Sequence, residues 1–416
     1  MRICVLGAGV VGVATAYYLA GDGHEVTVVD GAAAAGLETS FANGGQLSYS
    51  YVAPLADPSV IPKLPTWLIR ADSPLRFVPR VEPQQWWWLL RFLRACTLHA
   101  SREATIQLLA LGFYSRALVH TIVREEKIAF DYVRNGKLVL YRSAQGLQGA
   151  KRQMAFQATL GAEQEALSGA ACLDIEPALA PLAGVLAGGI YTPSEDAGDC
   201  HKFTRALAGI AESRGVVFRY GTRAISLITQ GRRIAALRTD RGEIEADAFV
   251  VAAGIGSLEI LRAVGIRAPL YPINGYSLTL PVGPQHKPPR ISITDTHNKV
   301  VYAPLGDRLR IAGMADVTGL SSGPDPKRLA LLTRQARETF PEGGDYANAA
   351  TWFGRRPATP TSKPVLGATA YGNLWLNIGQ GSLGFTLACG SAKLVVDAIA
   401  GRPPAISPAG FAWPAR

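Results

Sequence analysis

A short apolar run at the amino end, Arg2-Ile3-Cys4-Val5-Leu6, breaks into Gly7-Ala8-Gly9-Val10-Val11-Gly12 and continues with helical character from Val13 to Ala20. Gly23-His24 then turns the chain into a second apolar run, Glu25 to Val29, which ends at Asp30. Strand, glycine turn, helix, strand and acid in that order predict the opening β-α-β unit of a doubly wound sheet. Gly7 permits the tight turn, Gly9 lets backbone N–H groups approach a diphosphate, and Gly12 lets helix and strand pack closely. The helix N-terminus stabilises the diphosphate charge. Asp30 stands 18 residues beyond Gly12, where a carboxylate can accept from ribose hydroxyls and disfavours a 2′-phosphate. A dinucleotide other than NADP is therefore expected; the turn alone leaves FAD and NAD open. The same unit explains the apolar stretch Ile3–Leu19, which otherwise resembles a signal peptide.

The rest of the chain narrows the class. With 416 residues, 48% hydrophobic and 18% charged, it is too apolar for a disordered chain and long enough for two or three domains, or two intertwined ones. Its 44 glycines and 27 prolines follow no repeat, which excludes a collagen-like chain. Cys4, Cys96, Cys172, Cys200 and Cys389 are scattered and the six histidines dispersed, so no metal site and a reducing compartment are expected. No run of eighteen or more apolar residues is present, so no spanning helix is expected. A formal charge of +10 admits nucleic acid, an acidic lipid surface or a carboxylate substrate without choosing among them.

Residues 84–125, 145–165, 204–214 and 327–339 read as helices. Residues 129–141 read as a hairpin turning at Asn135-Gly136. Residues 223–251 give short strands, and 270–315 alternate like a half-exposed antiparallel sheet. Proline-rich 51–80 reads as an irregular excursion. The predicted fold is α/β and α+β: a Rossmann-type cofactor domain from 1–80, 185–268 and 350–416, and a discontinuous substrate domain from 81–184 and 269–349 on a mostly antiparallel sheet.

Two further segments suit a cofactor with a large ring system. Leu37 to Ser48 is rich in small residues and donors. Near the carboxyl end, the strand Asn373–Ile378 runs into Gly379-Gln380-Gly381-Ser382-Leu383-Gly384-Phe385-Thr386 and a helix. That is a second strand, glycine turn and helix N-terminus, able to donate N–H groups to a polar ring edge. A simple NAD enzyme needs only the first element, whereas a flavoprotein must hold the ADP end and the isoalloxazine.

Together these residues resemble the D-amino acid oxidase-like superfamily of FAD enzymes, and within it the small subunit of bacterial D-amino acid dehydrogenases. The resemblance runs nearly end to end. It rests on Gly7–Gly12, Glu38-Thr39-Ser40-Phe41-Ala42-Asn43-Gly44-Gly45-Gln46, Gly198-Asp199-Cys200, Tyr271 to Thr279, Arg356 to Pro360, and Gly379–Gly384 followed by Ala388-Cys389-Gly390-Ser391. It implies non-covalent FAD and oxidation of D-amino acids to 2-oxo acids and ammonia, with hydride passing from Cα to flavin N5. It also implies electrons delivered to a quinone or another acceptor rather than mainly to oxygen. A D-proline or hydroxy-D-proline dehydrogenase, or a flavin-binding subunit active only in a complex, stays open. The chain departs from the family at Asn274, Gln380 and Phe385, where Lys, His and Trp are usual; all three are expected near flavin or substrate.

The expected cofactor contacts are Ile3, Val5, Leu6, Gly7 to Gly12 with Ala8, Val10 and Val11, Tyr17, Asp30, Thr39, Ser40, Asn43, Gly44, Gly45, Gln46, Ala224, Ala253, Gly254, Gly379, Gly381, Ser382, Leu383, Gly384 and Thr386. A carboxylate substrate is best oriented by a bidentate guanidinium. Arg356 is the first choice and Arg355 the alternative; Tyr276 is expected to donate to the carboxylate or close the pocket, and Tyr51 is a weaker candidate. His201 reads as a helix-start residue and no histidine dyad emerges. Three consecutive tryptophans, Trp86 to Trp88, cannot share one helix face. With Arg70, Arg76, Arg80, Arg91 and Arg94 they suggest either interdomain packing or interfacial contact with an anionic membrane. We expect a cytoplasmic chain, with peripheral contact at the inner face of the cytoplasmic membrane left open, and no nucleic-acid partner.

Overall fold

The computed structural model describes residues 1–63 and 73–413. Arg70, expected beside the tryptophans, and part of the excursion expected over 51–80 lie outside them. The chain begins β1 (Arg2–Leu6), α1 (Val10–Gly21), β2 (Glu25–Val29), β3 (Gln46–Leu47) and β4 (Leu75–Phe77). It continues through α2 (Pro83–Ala95), α3 (Leu98–Glu126), β5 (Lys137–Tyr141), α4 (Ala144–Ala158), β6 (Glu165–Ser168), α5 (Gly169–Ile175), β7 (Gly188–Thr192) and β8 (Asp196–Ala197). Then come α6 (Cys200–Ser213), β9 (Val217–Arg219), β10 (Ala224–Gln230), β11 (Arg233–Thr239), β12 (Gly242–Glu245), β13 (Ala248–Val251) and α7 (Ser257–Ala263). The last part holds β14 (Tyr271–Pro281), β15 (Ser292–Asp295), β16 (Val300–Leu305), β17 (Arg308–Val317), α8 (Pro326–Thr339), β18 (Ala350–Ala358), β19 (Val365–Ala368), β20 (Leu374–Ile378) and α9 (Gly384–Ile399).

Two sheets carry the architecture. A six-stranded sheet, ordered β19-β20-β13-β1-β2-β9, is parallel except at β19. Its strands are buried on both faces, under α1, α9 and α6 on one side and the β10–β12 meander with α7 on the other. A nine-stranded sheet, ordered β18-β14-β17-β16-β15-β5-β7-β6 with β4 on β17, is mostly antiparallel. The α/β and α+β reading is therefore the observed fold.

Several boundaries differ from expectation. The chain re-enters the cofactor sheet at β19, not at residue 350, because β18 pairs along its whole length with β14. Likewise β7 belongs to the larger sheet although residues from 185 were expected in the cofactor domain. The hairpin expected over 129–141 is absent. Gly136 does turn with positive φ, but Val133 bridges Ala197 while β5 runs between β15 and β7. α3 and the segment Gly381–Ile399, which joins a short 3₁₀ turn to α9, are each long and apolar enough to cross a membrane by length and composition alone. α9 is largely buried and packs against α1 and α3, as a core helix does.

Candidate active site

The first glycine turn has the form its residues dictate. Gly7 takes a positive φ of 108° beside Ala252 and Ala253, and a Cβ on Gly12 would lie 1.9 Å from the Gly7 carbonyl oxygen. No side chain caps α1 at Gly9 and its first turn holds no acid, so that helix end suits an anion. Asp30 closes the unit by accepting from the N–H groups of Ala8 (2.6 Å) and Ala32 (2.7 Å), and its oxygens keep acceptor capacity for ribose hydroxyls. Thr222 donates its N–H to the Asp30 carbonyl, which brings the start of β10 at Ala224 close by. Ala253 and Gly254 follow β13 at the same sheet end. Ser40 accepts the Val10 N–H at 3.0 Å and so ties the Thr39–Gln46 segment to the turn.

That segment is lashed to the larger sheet along its length. Thr39 Oγ1 donates to the Arg355 carbonyl (3.1 Å), Ser277 Oγ to the Ala42 carbonyl (2.7 Å), and Arg310 Nη1 to the Asn43 carbonyl (2.7 Å). Asn43 Oδ1 accepts the Gly45 N–H, and Gln46 Nε2 donates to Ile293 and Tyr302 carbonyls of the sheet. Gly44 and Gly45 lie against β16. From the other side, Gln380 bridges Ala358 at the end of β18. Gly379 and Gly381 have positive φ, a short 3₁₀ turn spans Gly381–Leu383 through Ser382, and α9 starts at Gly384 with neither side-chain cap nor acid in its first turn. Thr386 Oγ1 accepts the Ser48 N–H at 3.0 Å.

Between these two segments stands Arg356. Gly275 and Gly354 face each other across β14 and β18; the missing side chain of Gly275 makes room for Arg356, and that of Gly354 for the Trp352 ring. A Cβ on Gly275 would lie 2.3 Å from the Arg356 guanidinium. Nη1 donates to the Met314 carbonyl at 2.9 Å, and among the described residues no carboxylate pairs with the group. Burial lowers its pKa, with the field of Asp316 opposing. Asp316 itself is already bonded to Arg328 (2.7 Å) and Arg76 (2.8 Å). Arg356 is half-buried; a partly desolvated cation without a counter-ion is costly, and a ligand anion removes that cost.

Some expected contacts are not brought here. Tyr276, the neighbour of Gly275 along β14, points to the opposite face, against Phe353 and the core under α8. Its hydroxyl accepts the Asp325 N–H at 3.2 Å. Strand alternation is the reason, and the expected role beside the substrate carboxylate does not fit this position. Asn274 is also on that far side, bonded to Thr318 and Ser322. Arg355 donates to the Leu320 carbonyl. Ile3 and Val5 point into the core under α1, Leu6 into the core on the sheet's other side, and Tyr17 donates to Glu126 at 2.6 Å; they brace the turn instead of lining its open end. Gln380 bonds Asn377, and Phe385 packs against Phe203. His201 is the second residue of α6, as expected of a helix start.

Tyr51 keeps 37% of its surface exposed, and partial burial raises its hydroxyl pKa. Lys137 Nζ sits 4.1 Å from that ring and donates to Ser48 Oγ at 2.7 Å. Glu195 accepts the Ser50 N–H at 2.6 Å. Burial lowers the Lys137 pKa and raises that of Glu195. The sequence reading missed this pair. Its members stand 58 residues apart and only the pairing of β5 with β7 unites them.

Two helix N-termini free of acids, a carboxylate just past the end of β2 and a donor-rich segment between them fit FAD. The chain belongs to the DAO family of FAD-dependent oxidoreductases, whose model matches residues 2–398. Among its relatives is a Pseudomonas aeruginosa protein named D-amino acid dehydrogenase 2, 48% identical over 412 residues, 99% of this chain and 97% of that one. A Paramagnetospirillum magneticum protein named D-amino acid dehydrogenase is 47% identical over 408 residues, 98% of this chain and 97% of that one. In fold the chain is similar to glycine oxidase from Geobacillus kaustophilus (TM-score 0.78, 21% identity, covering 100% of this chain and 99% of that one).

Proposed function

We propose that this FAD-dependent oxidoreductase oxidises D-amino acids to 2-oxo acids and ammonia. The observation that carries the reading is Arg356, a half-buried guanidinium with one carbonyl partner, flanked by the two segments that suit the cofactor. Its fork would take the substrate carboxylate bidentately and fix the Cα–H toward the ring. When bound, FAD supplies the two-electron oxidant. The amine loses its proton before oxidation, so no obligatory side-chain base is required. The substrate gives up two electrons and two protons and leaves as an imino acid, which water converts to the 2-oxo acid and ammonia. The D configuration is taken from the names of the relatives.

Electrons then pass to a quinone or another acceptor. Trp86 and Leu90 of α2 are 46% and 57% exposed, with Arg91 and Arg94 on the same helix, which supports peripheral contact with an anionic membrane surface. Trp88 by contrast is buried, and Trp87 lies under Arg91 and Arg267. The test is anaerobic mixing of the FAD-loaded chain, alone, with D- and L-amino acids. Bleaching of the flavin by D-amino acids is expected. A lone chain that holds FAD and is bleached by none of them overturns the reading and leaves a subunit that works only in a complex.

A further inference from the structure

On the face of the larger sheet that carries Arg356 lies a cavity of about 240 Å³. Its floor is Ile273, Ala315 and Val317, its walls include Leu55, Leu75 and Phe77, and its roof is α2 with Trp86, Trp88, Leu89, Phe92 and Leu93. We propose that this cavity seats the side chain of the amino acid held by Arg356, and that it selects large apolar and aromatic D-amino acids over small or charged ones. The proposal rests on the amino-acid reading above and names the substrate class for it.

Three observations support it. The first is continuity. Ile273 is the direct cross-strand neighbour of Arg356, which puts their Cβ atoms about 5 Å apart. Ala315 follows Met314, whose carbonyl accepts from the Arg356 guanidinium. A local irregularity in the β14–β17 pairing, where Met314 takes a positive φ, turns Ala315 and Val317 toward this face while Asp316 points to α8. The second is chemistry. Among the described lining residues only Arg76 is charged, and its terminal nitrogens are bonded to Asp316 (2.8 Å) and Asp325 (3.1 Å). Apart from the buried Arg76 Nε, which has no hydrogen-bond partner, an ionic side chain entering here meets only apolar groups and ring edges and loses its hydration. Trp88 and Phe92, stacked with centroids 5.2 Å apart, present the kind of aromatic wall a phenyl or indole ring packs on. The third is size. Pockets that hold whole drug-sized ligands start at roughly 300 Å³. The cavity suits one side chain, not a quinone with its tail.

The test compares kcat/KM for D-phenylalanine, D-leucine, D-alanine and D-glutamate in the FAD-loaded full chain with a dye acceptor. D-phenylalanine and D-leucine are expected to exceed D-alanine by about 10-fold or more, and D-glutamate by a larger factor. Ala315→Phe fills the cavity and should collapse the D-phenylalanine to D-alanine ratio by about 10-fold, with bound flavin retained. Should that variant lose its flavin, Leu89→Ala, which widens the roof, is read instead and should shift preference from D-phenylalanine toward D-tryptophan. A ratio that neither variant moves overturns the proposal. So does an Ala315→Phe enzyme with an unchanged ratio but a raised KM for a short-chain quinone, which would make the cavity the acceptor's. If D-alanine bleaches the flavin and D-phenylalanine does not, the side-chain assignment alone falls. If no D-amino acid does so, the D-amino acid activity falls with it.

Discussion

The two faces of β14 meet two arginines, Arg328 fully buried and Arg356 half-buried, and the two have opposite surroundings. Under α8, Arg328 donates to Asp316 at 2.7 Å and to the Ser73 carbonyl at 2.8 Å, inside a core that also takes Tyr276. Over Gly275 on the other face, Arg356 has a carbonyl and no carboxylate among the described residues. The sheet satisfies one cation internally and leaves the other for something that arrives. Arg328 is fully buried against its counter-ion, whereas Arg356 is half-buried and has none among the described residues.

Four variants break or sharpen that contrast. Arg328→Ala strands Asp316 beside Arg76 and should cost about 3–5 kcal/mol of stability, read as a lowered denaturation midpoint, with KM of the surviving enzyme unchanged. Arg356→Ala should do the reverse. It should lose about 2–5 kcal/mol from kcat/KM, chiefly through KM, while the bound flavin spectrum and the midpoint stay near those of the parent. Gly275→Ala places a methyl 2.3 Å from the Arg356 guanidinium, whose flexible end must move; KM should rise about 10-fold without loss of flavin. Tyr276→Phe removes only the hydroxyl that accepts the Asp325 N–H. It should cost about 1 kcal/mol of stability and leave KM alone. A Tyr276→Phe enzyme with a strongly raised KM would move the substrate to the α8 face.

The parts of the site read from sequence are those written locally. Gly7, Gly12 and Asp30 fall within one β-α-β unit, and Gly379–Gly384 within one strand-turn-helix, so spacing alone located them. The Arg356-Pro357 motif was legible as a resemblance. What spacing did not convey was facing. Gly275 and Tyr276 are adjacent, and alternation sends one toward Arg356 and the other away. The irregularity at Met314 reverses the alternation of β17 without a warning in composition. At Asn135-Gly136 the turn chemistry was right, but distant strands claimed both flanks, because β pairing is decided by partners far along the chain. The same nonlocality hid Lys137 and Glu195.

The most direct measurement is an anaerobic titration of the FAD-loaded chain and its Arg356→Ala variant with a D-amino acid, following flavin absorbance. The parent should bleach, and the variant should hold the same flavin but bleach only at concentrations raised by about 30-fold or more. A variant that bleaches at the parent's concentrations, or that releases its flavin on losing Arg356, would contradict this expectation.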